Sequence, residues 1–422
     1  MKEITPLKRI NTSISIPGSK SITNRVFVIS SLAKGKSKIL KPLYSDDTKY
    51  LINALNKVGI KTTEQSGMVE VYGKAGEFDQ YNDEIFIGNA GTTMRFLTSL
   101  LTMGKGTYTL TGEQRMKERP IRDLVNALNS FGAQITYAEN LGFPPIKITA
   151  SKLSGGKISI PGDKSSQYIS SLLMIAPLLE KGLELKVIGD LVSKPYIDTT
   201  IKVMQDFGAK VINENYSRFI IPGKTKYKSR KFVVQGDASS ASYFMAACAI
   251  TYGNIEIENV GYECDQGDIE FAYLLKKMGA DVTVKKNRTI IKSTGELHGI
   301  ECDLNNTPDI AQTLCIVALF ASSETVIKNI GNLRIKETDR ISAMETELLK
   351  TGARVETGND WIKITPVKGY KPAIIDTYND HRMAMSFALA GLKIPGIRIK
   401  NPKVVSKSFP DFWERFDKLY SC

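Results

Sequence analysis

Repetition is what most constrains this chain. Residues 13–25 read SISIPGSKSITNR, residues 157–169 read KISIPGDKSSQYI, and residues 232–244 read FVVQGDASSASYF. Each is an alternating apolar run, a turn with glycine, and then a serine cluster that opens an apolar stretch. The alternation reads as a strand and the serines as a helix start. Three further segments, IFIGNAGTTMRFL (85–97), NNTPDIAQTLCI (305–316) and DTYNDHRMAMSFAL (376–389), have the same order of strand, polar turn and apolar helix. With Ser21, Thr92, Ser166, Ser240, Ala311 and His381 as equivalent helix starts, the spacings are 71, 74, 74, 71 and 70 residues. A regular period of this kind means one supersecondary unit copied six times.

Five copies carry a second, amphipathic helix with a common ending: ALNKVGI, ALNSFGA, VMQDFGA, LLKKMGA and LLKTGA. The glycine there fits a helix C-terminal cap, and a β-rich run follows it. Each unit is therefore strand, helix, strand, helix and closing strands, and the sixth is cut short at PDFWERFDKLY (410–420). The fold class is α/β (α+β in some schemes), in two domains of three βαβαββ units each. A chain of 422 residues exceeds what one core usually supports. The expected boundaries are 19–236 for an inserted domain, and 1–18 plus 237–422 for a discontinuous one. The two chain crossings between them would act as a hinge.

The longest apolar runs, such as SLLMIAPLL (171–179), are far too short to span a membrane. The opening MKEITPLKRIN has neither a signal core nor transit-peptide character. The five cysteines form no CxxC pair, and with only His298 and His381 a histidine metal site is not expected. A cytoplasmic protein without disulfides, metal or membrane contact is the expectation. The net charge of +13 admits a lysine-rich surface, a polyanion or small anionic substrates. Aromatic residues do not interrupt the basic runs as they do in single-strand binders, so no nucleic-acid partner is expected.

The helix starts carry the chemistry. A helix N-terminus presents unsatisfied N–H groups and about half a positive charge, so it attracts anions. Around these starts the sequence concentrates Lys20 and Arg25, Arg95, the run RMKERPI (115–121), the run RIKETDR (334–340), NDHR (379–382) and Lys407. Pro120 would occupy a first helical position. Lys336 and Arg340, four residues apart, would share a helix face. Asp309 and Glu337 stand among the cations as candidate base and acid. Neither a Walker phosphate loop nor a dinucleotide fingerprint is present, so two small anions and no organic cofactor are expected.

PGSKSITNR, NAGTTMR, RMKERPI, SSQ, SKPYID, KETDR, YNDHRMAM and KSFPDF, in that order, make the chain resemble the enolpyruvyl transferase family, over essentially its full length. The match is to the branch that acts on shikimate 3-phosphate. The resemblance implies an inside-out α/β barrel of two domains that close over their substrates. It implies transfer of the enolpyruvyl group of phosphoenolpyruvate to the 5-hydroxyl of shikimate 3-phosphate with release of phosphate, a step of aromatic amino acid biosynthesis. It also implies the site. Lys20, Ser21, Arg25, Ser165, Ser166, Gln167, Ser193, Tyr196, Asp309, Asn332 and Lys336 would bind shikimate 3-phosphate. Lys20, Gly91, Arg119, Gln167, Arg340, Arg382 and Lys407 would bind phosphoenolpyruvate. Asp309, Glu337 and Lys20 would be catalytic, acting on the hydroxyl, the methylene carbon and the leaving phosphate. A monomer with its site in the interdomain cleft is expected. The chain departs from the family at Phe96, where many relatives have Pro or Leu.

Two other readings compete. The sister branch acting on UDP-N-acetylglucosamine carries Lys-Asn at the first helix start and a catalytic Cys in a loop, whereas here Ser21 follows Lys20 and no Cys precedes Cys248. A basic nucleic-acid-binding protein on a related repeat fold is the other, motivated by charge alone.

Overall fold

Helices of two kinds alternate along the chain, and burial separates them. The computed structural model describes residues 1–421 and divides into two units. In the unit Gly18–Val234 the helices are α1 (Lys20–Leu32), α2 (Asp46–Lys57), α3 (Gly91–Thr102), α4 (Arg122–Ser130), α5 (Ser166–Ile175) and α6 (Lys194–Asp206). The odd-numbered helices are buried on nearly every side, and apart from Arg25, Arg95 and a few polar residues they are built of apolar or small residues. In α3 every residue except Thr92 is buried. Small hydroxyls sit where these inner helices meet: Ser99 of α3 donates to Ser171 of α5 at 2.9 Å. The even-numbered helices bury one face only. In α4, Leu124, Val125, Ala127 and Leu128 are buried, while Arg122, Asn126 and Asn129 are exposed.

Three sheets flank these helices, each with one parallel crossover and an antiparallel hairpin. The first runs Lys231–Val233, Lys34–Leu40, Met68–Lys74, Thr62–Gln65. The second is built on Lys105–Thr111, Ile146–Thr149 and Gln134–Tyr137, and the third on Gly156–Pro161, Leu183–Ile188, Arg218–Ile221 and Ile212–Glu214. One apolar core joins the inner faces of the three sheets to the helices.

The other unit comprises Met1–Pro17 and the chain from Gln235 onward. It contains α7 (Ala238–Ile250), α8 (Glu270–Lys277), α9 (Ala311–Ala318), α10 (Arg340–Lys350), α11 (His381–Gly391) and α12 (Phe412–Asp417). Here α7, α9 and α11 are the inner helices, and α7 is buried along its whole length. The strand Arg9–Ser15 pairs in parallel with Tyr252–Glu258, so this N-terminal strand completes a sheet whose other members lie beyond residue 250. A second full sheet is built on Glu301–Asp303, Thr325–Lys328, Ile362–Thr365 and Arg354–Thr357, and the last repeat is reduced to two-residue strands. The architecture is α/β, with three βαβαββ repeats to a unit.

The five repeated glycines that follow the amphipathic helices, Gly59, Gly132, Gly208, Gly279 and Gly352, have φ of 80°, 96°, 92°, 108° and 79°. A side chain is strained in that region, which is why the helix endings are alike. Two local expectations fail. Pro120 is outside a helix, because α4 begins at Arg122 and the run before it forms a 3-10 helix at Gln114–Glu118. The carbonyl of Pro120 is instead taken by Arg95 at 2.9 Å and the Tyr168 hydroxyl at 2.5 Å. Lys336 and Arg340 do not share a helix face either, since the 3-10 helix Gly331–Ile335 ends before Lys336 and α10 starts only at Arg340. Among the described residues no helix is long and apolar enough to cross a membrane.

Candidate active site

In Gly18–Val234 the starts of four helices are tied together by side chains. Lys20, the first residue of α1, reaches Asp47 at the start of α2 (3.1 Å). The Thr93 hydroxyl of α3 donates to the Asp47 carbonyl (3.2 Å), and Gln167 of α5 donates to the Thr92 hydroxyl (3.2 Å). Ser165 caps α5 by accepting from the Gln167 N–H, and Ser166 is buried beside it. Ser193 precedes α6 in a left-handed conformation (φ 57°), which turns the chain so that Tyr196 lies in the first turn.

Arg25 is the centre of this group. It is 2% exposed, and its hydrogen bonds go to the Thr200 hydroxyl (2.7 Å), the Ser21 carbonyl (2.9 Å), the Tyr196 carbonyl (3.0 Å) and the Ser170 hydroxyl (3.5 Å). The Phe96 ring covers the guanidinium at 5.3 Å. Every one of these partners is neutral, and burial draws the Arg25 pKa down to about 10. A buried guanidinium without a carboxylate suits an anionic ligand, because buried charge is costly unless paired.

Arg119 is also buried and donates to the backbone carbonyl and side-chain oxygen of Asn89 (3.1 and 3.0 Å). Its guanidinium lies against Gly91, where a Cβ would collide with it. The glycine at the start of α3 therefore makes room for a cation. The rest of the basic run is spent elsewhere: Arg115 pairs with Glu118, and Lys117 with Glu139, both near the surface. Arg95 braces the backbone through the carbonyls of Gly91 and Pro120.

The second cluster lies in the other unit and is built on carboxylates. Asp309 stands just before α9, Arg340 opens α10, and Asp380 caps α11 through the Arg382 N–H (2.9 Å). Arg340 is 2% exposed and donates to Asp380 (2.7 Å), Glu337 (2.8 Å) and Asp309 (3.2 Å). Arg382 donates to the other Asp309 oxygen (2.9 Å) and to the Tyr243 hydroxyl of α7 (3.3 Å). Burial alone would raise the Asp309 pKa, but Arg382, Lys336 and Arg340 together hold the carboxyl well below its usual range. The three carboxylates also raise the pKa of Arg340, against the effect of its burial. Lys407 is buried at the end of a 3-10 helix that packs on α11. The Asn332 side-chain oxygen is buried without a hydrogen-bond partner.

The structure thus gathers Lys20, Ser21, Arg25, Gly91, Arg119, Ser165, Ser166, Gln167, Ser193 and Tyr196 in one unit. It gathers Asp309, Asn332, Lys336, Glu337, Arg340, Arg382 and Lys407 in the other. Sequence reasoning missed the residues that hold them, namely Asp47, Asn89, Thr200, Tyr243 and the side chain of Asp380. Asp47 and Asp380 follow the helix-start pattern and were within reach of it. Thr200 and Tyr243 are ordinary helical residues with no local signal. Among the described residues no group of His, Cys, Asp and Glu could hold a metal ion.

Comparison with known proteins supplies the family. The family model for EPSP synthase (3-phosphoshikimate 1-carboxyvinyltransferase) matches residues 4–416. A 3-phosphoshikimate 1-carboxyvinyltransferase of Shewanella loihica is 47% identical over 420 residues, covering 99% of this chain and 98% of its own. One from a Sulfurovum species is 47% identical over 427 residues, with both chains covered completely. Among solved structures, EPSP synthase from Acinetobacter baumannii superposes with a TM-score of 0.83 at 28% identity, covering 99% of this chain and 97% of that one. Matched over residues 4–416 by the family model and over nearly its whole length by relatives nearly half identical, the chain belongs to the EPSP synthase (3-phosphoshikimate 1-carboxyvinyltransferase) family.

Proposed function

We propose that this protein transfers the enolpyruvyl group of phosphoenolpyruvate to the 5-hydroxyl of shikimate 3-phosphate, in the cytoplasm, and that the two clusters serve this one reaction. The observation that carries the reading is Asp309, a carboxylate held by Arg340 and Arg382 with Lys336 nearby. Those cations are what a phosphate- and carboxylate-bearing substrate needs, and the carboxylate is what the acceptor hydroxyl needs.

The chemistry is addition followed by elimination. The 5-hydroxyl oxygen bonds to C2 of phosphoenolpyruvate and loses its proton, while a proton is added at the methylene carbon. The tetrahedral adduct then expels phosphate from C2 as the adjacent methyl carbon, the former methylene, gives up a proton, and the double bond re-forms. Asp309 takes the hydroxyl proton, Glu337 gives and retakes the methylene proton, and Lys20 stabilises the departing phosphate. Arg25 with Ser21, Ser165, Ser166, Gln167, Ser193, Tyr196, Asn332 and Lys336 binds the phosphorylated ring. Arg119, Arg340, Arg382, Lys407 and the start of α3 at Gly91 bind phosphoenolpyruvate, with Lys20 and Gln167 touching both.

The ion pairs add a condition. In the free protein the cations that hold Asp309 make it a poor base. Once a substrate anion engages Arg340 and Arg382, their field at Asp309 weakens and its proton affinity rises. Base strength then arrives with the substrate. Phosphate release from phosphoenolpyruvate, measured with and without shikimate 3-phosphate, tests the function: release that depends on both substrates is expected. Release with neither dependence, or none at all, overturns the reading.

A further inference from the structure

The net charge is not shared evenly. Gly18–Val234 holds 31 Lys and Arg against 19 Asp and Glu, whereas the rest of the chain holds 26 against 25. The excess has a focus on the solvent face of the first sheet. Along the strand Lys34–Leu40, Ser37 and Ile39 point into the core, while Lys34, Lys36 and Lys38 are exposed on the other side. Lys231 pairs with Lys38, Lys74 with Lys34, and Lys228 bridges to Lys34, so the cations of neighbouring strands fall beside them. Glu70, opposite Lys38, is the acid within this face, and it takes both Lys36 (3.2 Å) and Lys38 (3.7 Å). Lys74 pairs with Asp79 at the margin. Among the described residues, Lys34, Lys228 and Lys231 have no carboxylate within ion-pair distance.

The repeats supply an internal control. On the third sheet Glu184 takes Lys157 and Arg218, and Glu214 takes Arg218 again. On the sheet that Arg9–Ser15 completes, Arg288 pairs with Glu256. On the sheet of Thr325–Lys328, Lys328 pairs with Glu301 and Lys363 with Glu356. The second sheet presents mostly threonines. The third sheet carries exposed Lys186 as well, but the other faces set acids beside most of their cations, so the density of lysines on the first sheet answers to something else.

The linear sequence separates aromatic from basic residues, but the sheet brings them together. Tyr72 stands opposite Lys36, and the ends of Lys36 and Lys61 lie 5.8 and 5.6 Å from its ring. The ring is partly exposed. Lysines recur about every 7 Å along the strand, and neighbouring strands lie about 4.8 Å apart. Point charges on a flat face around one ring suit a flexible phosphate backbone and a stacked base. They give no bidentate readout, so binding would not depend on sequence. We propose that the lysine face around Tyr72 binds single-stranded RNA. It is separate from the clusters assigned to the reaction.

The test is fluorescence anisotropy of a labelled 20-nucleotide oligouridylate with the full-length protein. Binding at low salt is expected, with affinity falling steeply as salt rises. Lys34→Gln/Lys228→Gln/Lys231→Gln should weaken it tenfold or more and make the logarithmic salt slope shallower by about 2. Tyr72→Leu should weaken it about tenfold. Lys157→Gln/Lys186→Gln/Arg218→Gln removes the same charge from the third sheet and should leave affinity nearly unchanged. Both triple variants should stay folded and keep the phosphate release of the parent. Equal weakening by the two triple variants would show diffuse charge only and overturn the proposal. So would the absence of binding at low salt. Displacement by polyglutamate as effective as by RNA, with no effect of Tyr72→Leu, would assign the face to an acidic protein instead and also overturn it.

Discussion

Arg25 and Arg340 are both buried guanidinium groups, and their surroundings could hardly differ more. Three carboxylates meet Arg340, and only neutral groups meet Arg25. The first is compensated before any ligand arrives, and the second is a charge held ready. Thr200→Val removes the acceptor at the Arg25 Nε, a charged hydrogen bond typically worth about 1.5–3 kcal/mol. Steady-state kinetics should show KM for shikimate 3-phosphate raised tenfold or more with kcat little changed, and Thr200→Ser should restore it. A fall in kcat alone would mean that Arg25 acts in the transition state. For Gly91→Ala the added methyl meets the Arg119 guanidinium, so KM for phosphoenolpyruvate should rise and that for shikimate 3-phosphate should not. Asp309 bears on stability. Its folded pKa lies below the unfolded value of about 3.9, so its contribution is present above that pH and is lost as pH falls through the folded value. Asp309→Asn should therefore be less stable than the parent at pH 7, and the gap in denaturant midpoint should narrow steadily as the pH falls below about 4. The cations near these residues were legible from motif and charge. Thr200 was not, because it meets Arg25 across 175 residues of chain and looks in sequence like any helical threonine.

The helix α10 works at both ends. Arg340 opens it, and two turns later the fully buried carboxylate of Glu347 accepts from the Tyr378 hydroxyl (2.6 Å), the Asp376 N–H (3.0 Å) and Lys350 (2.8 Å). Tyr378 and Asn379 are consecutive left-handed residues (φ 52° and 53°) in the turn that delivers Asp380 and Arg382. Such backbone costs of order 1–3 kcal/mol per residue and persists where its surroundings fix it. Glu347 is positioned to fix it. Glu347→Gln should lower the melting temperature by several degrees and raise KM for phosphoenolpyruvate, with a smaller effect for shikimate 3-phosphate. Equal effects on both substrates would leave Glu347 a general structural role only. Periodicity revealed the alternation of buried and amphipathic helices and their glycine endings, since those depend on residues three or four apart. It misjudged Pro120 and the Lys336–Arg340 face because both rested on extending a helix into a run that forms a 3-10 turn and irregular chain. Nor could it show a clamp between a helix and a turn some 30 residues away.

At the scale of the whole molecule, one unit carries a charge of +12 and the other +1, by the residue counts of the two segments. Self-repulsion among like charges destabilises a compact state and is screened by salt. Raising ionic strength should therefore slow hydrogen exchange in the strands Lys34–Leu40 and Met68–Lys74 more than in Tyr252–Glu258 and Arg288–Lys292. Equal slowing in both units would remove charge as the cause. The sixfold period was legible from one end of the sequence to the other, whereas the gathering of lysines on one sheet face emerged only once strands were assigned to sheets. The strand Arg9–Ser15 raises a matter of timing. Its partner, Tyr252–Glu258, is made about 240 residues later, which at 5–20 residues per second is a wait of roughly 12–50 s on the ribosome. Over that interval the strands of Gly18–Val234 can find all their partners, while Ile10 and Ile14 have no core to enter. A nascent chain halted near Val234 would thus pair a finished unit with an orphan apolar edge, the feature that chaperones and proteases recognise in an incomplete product.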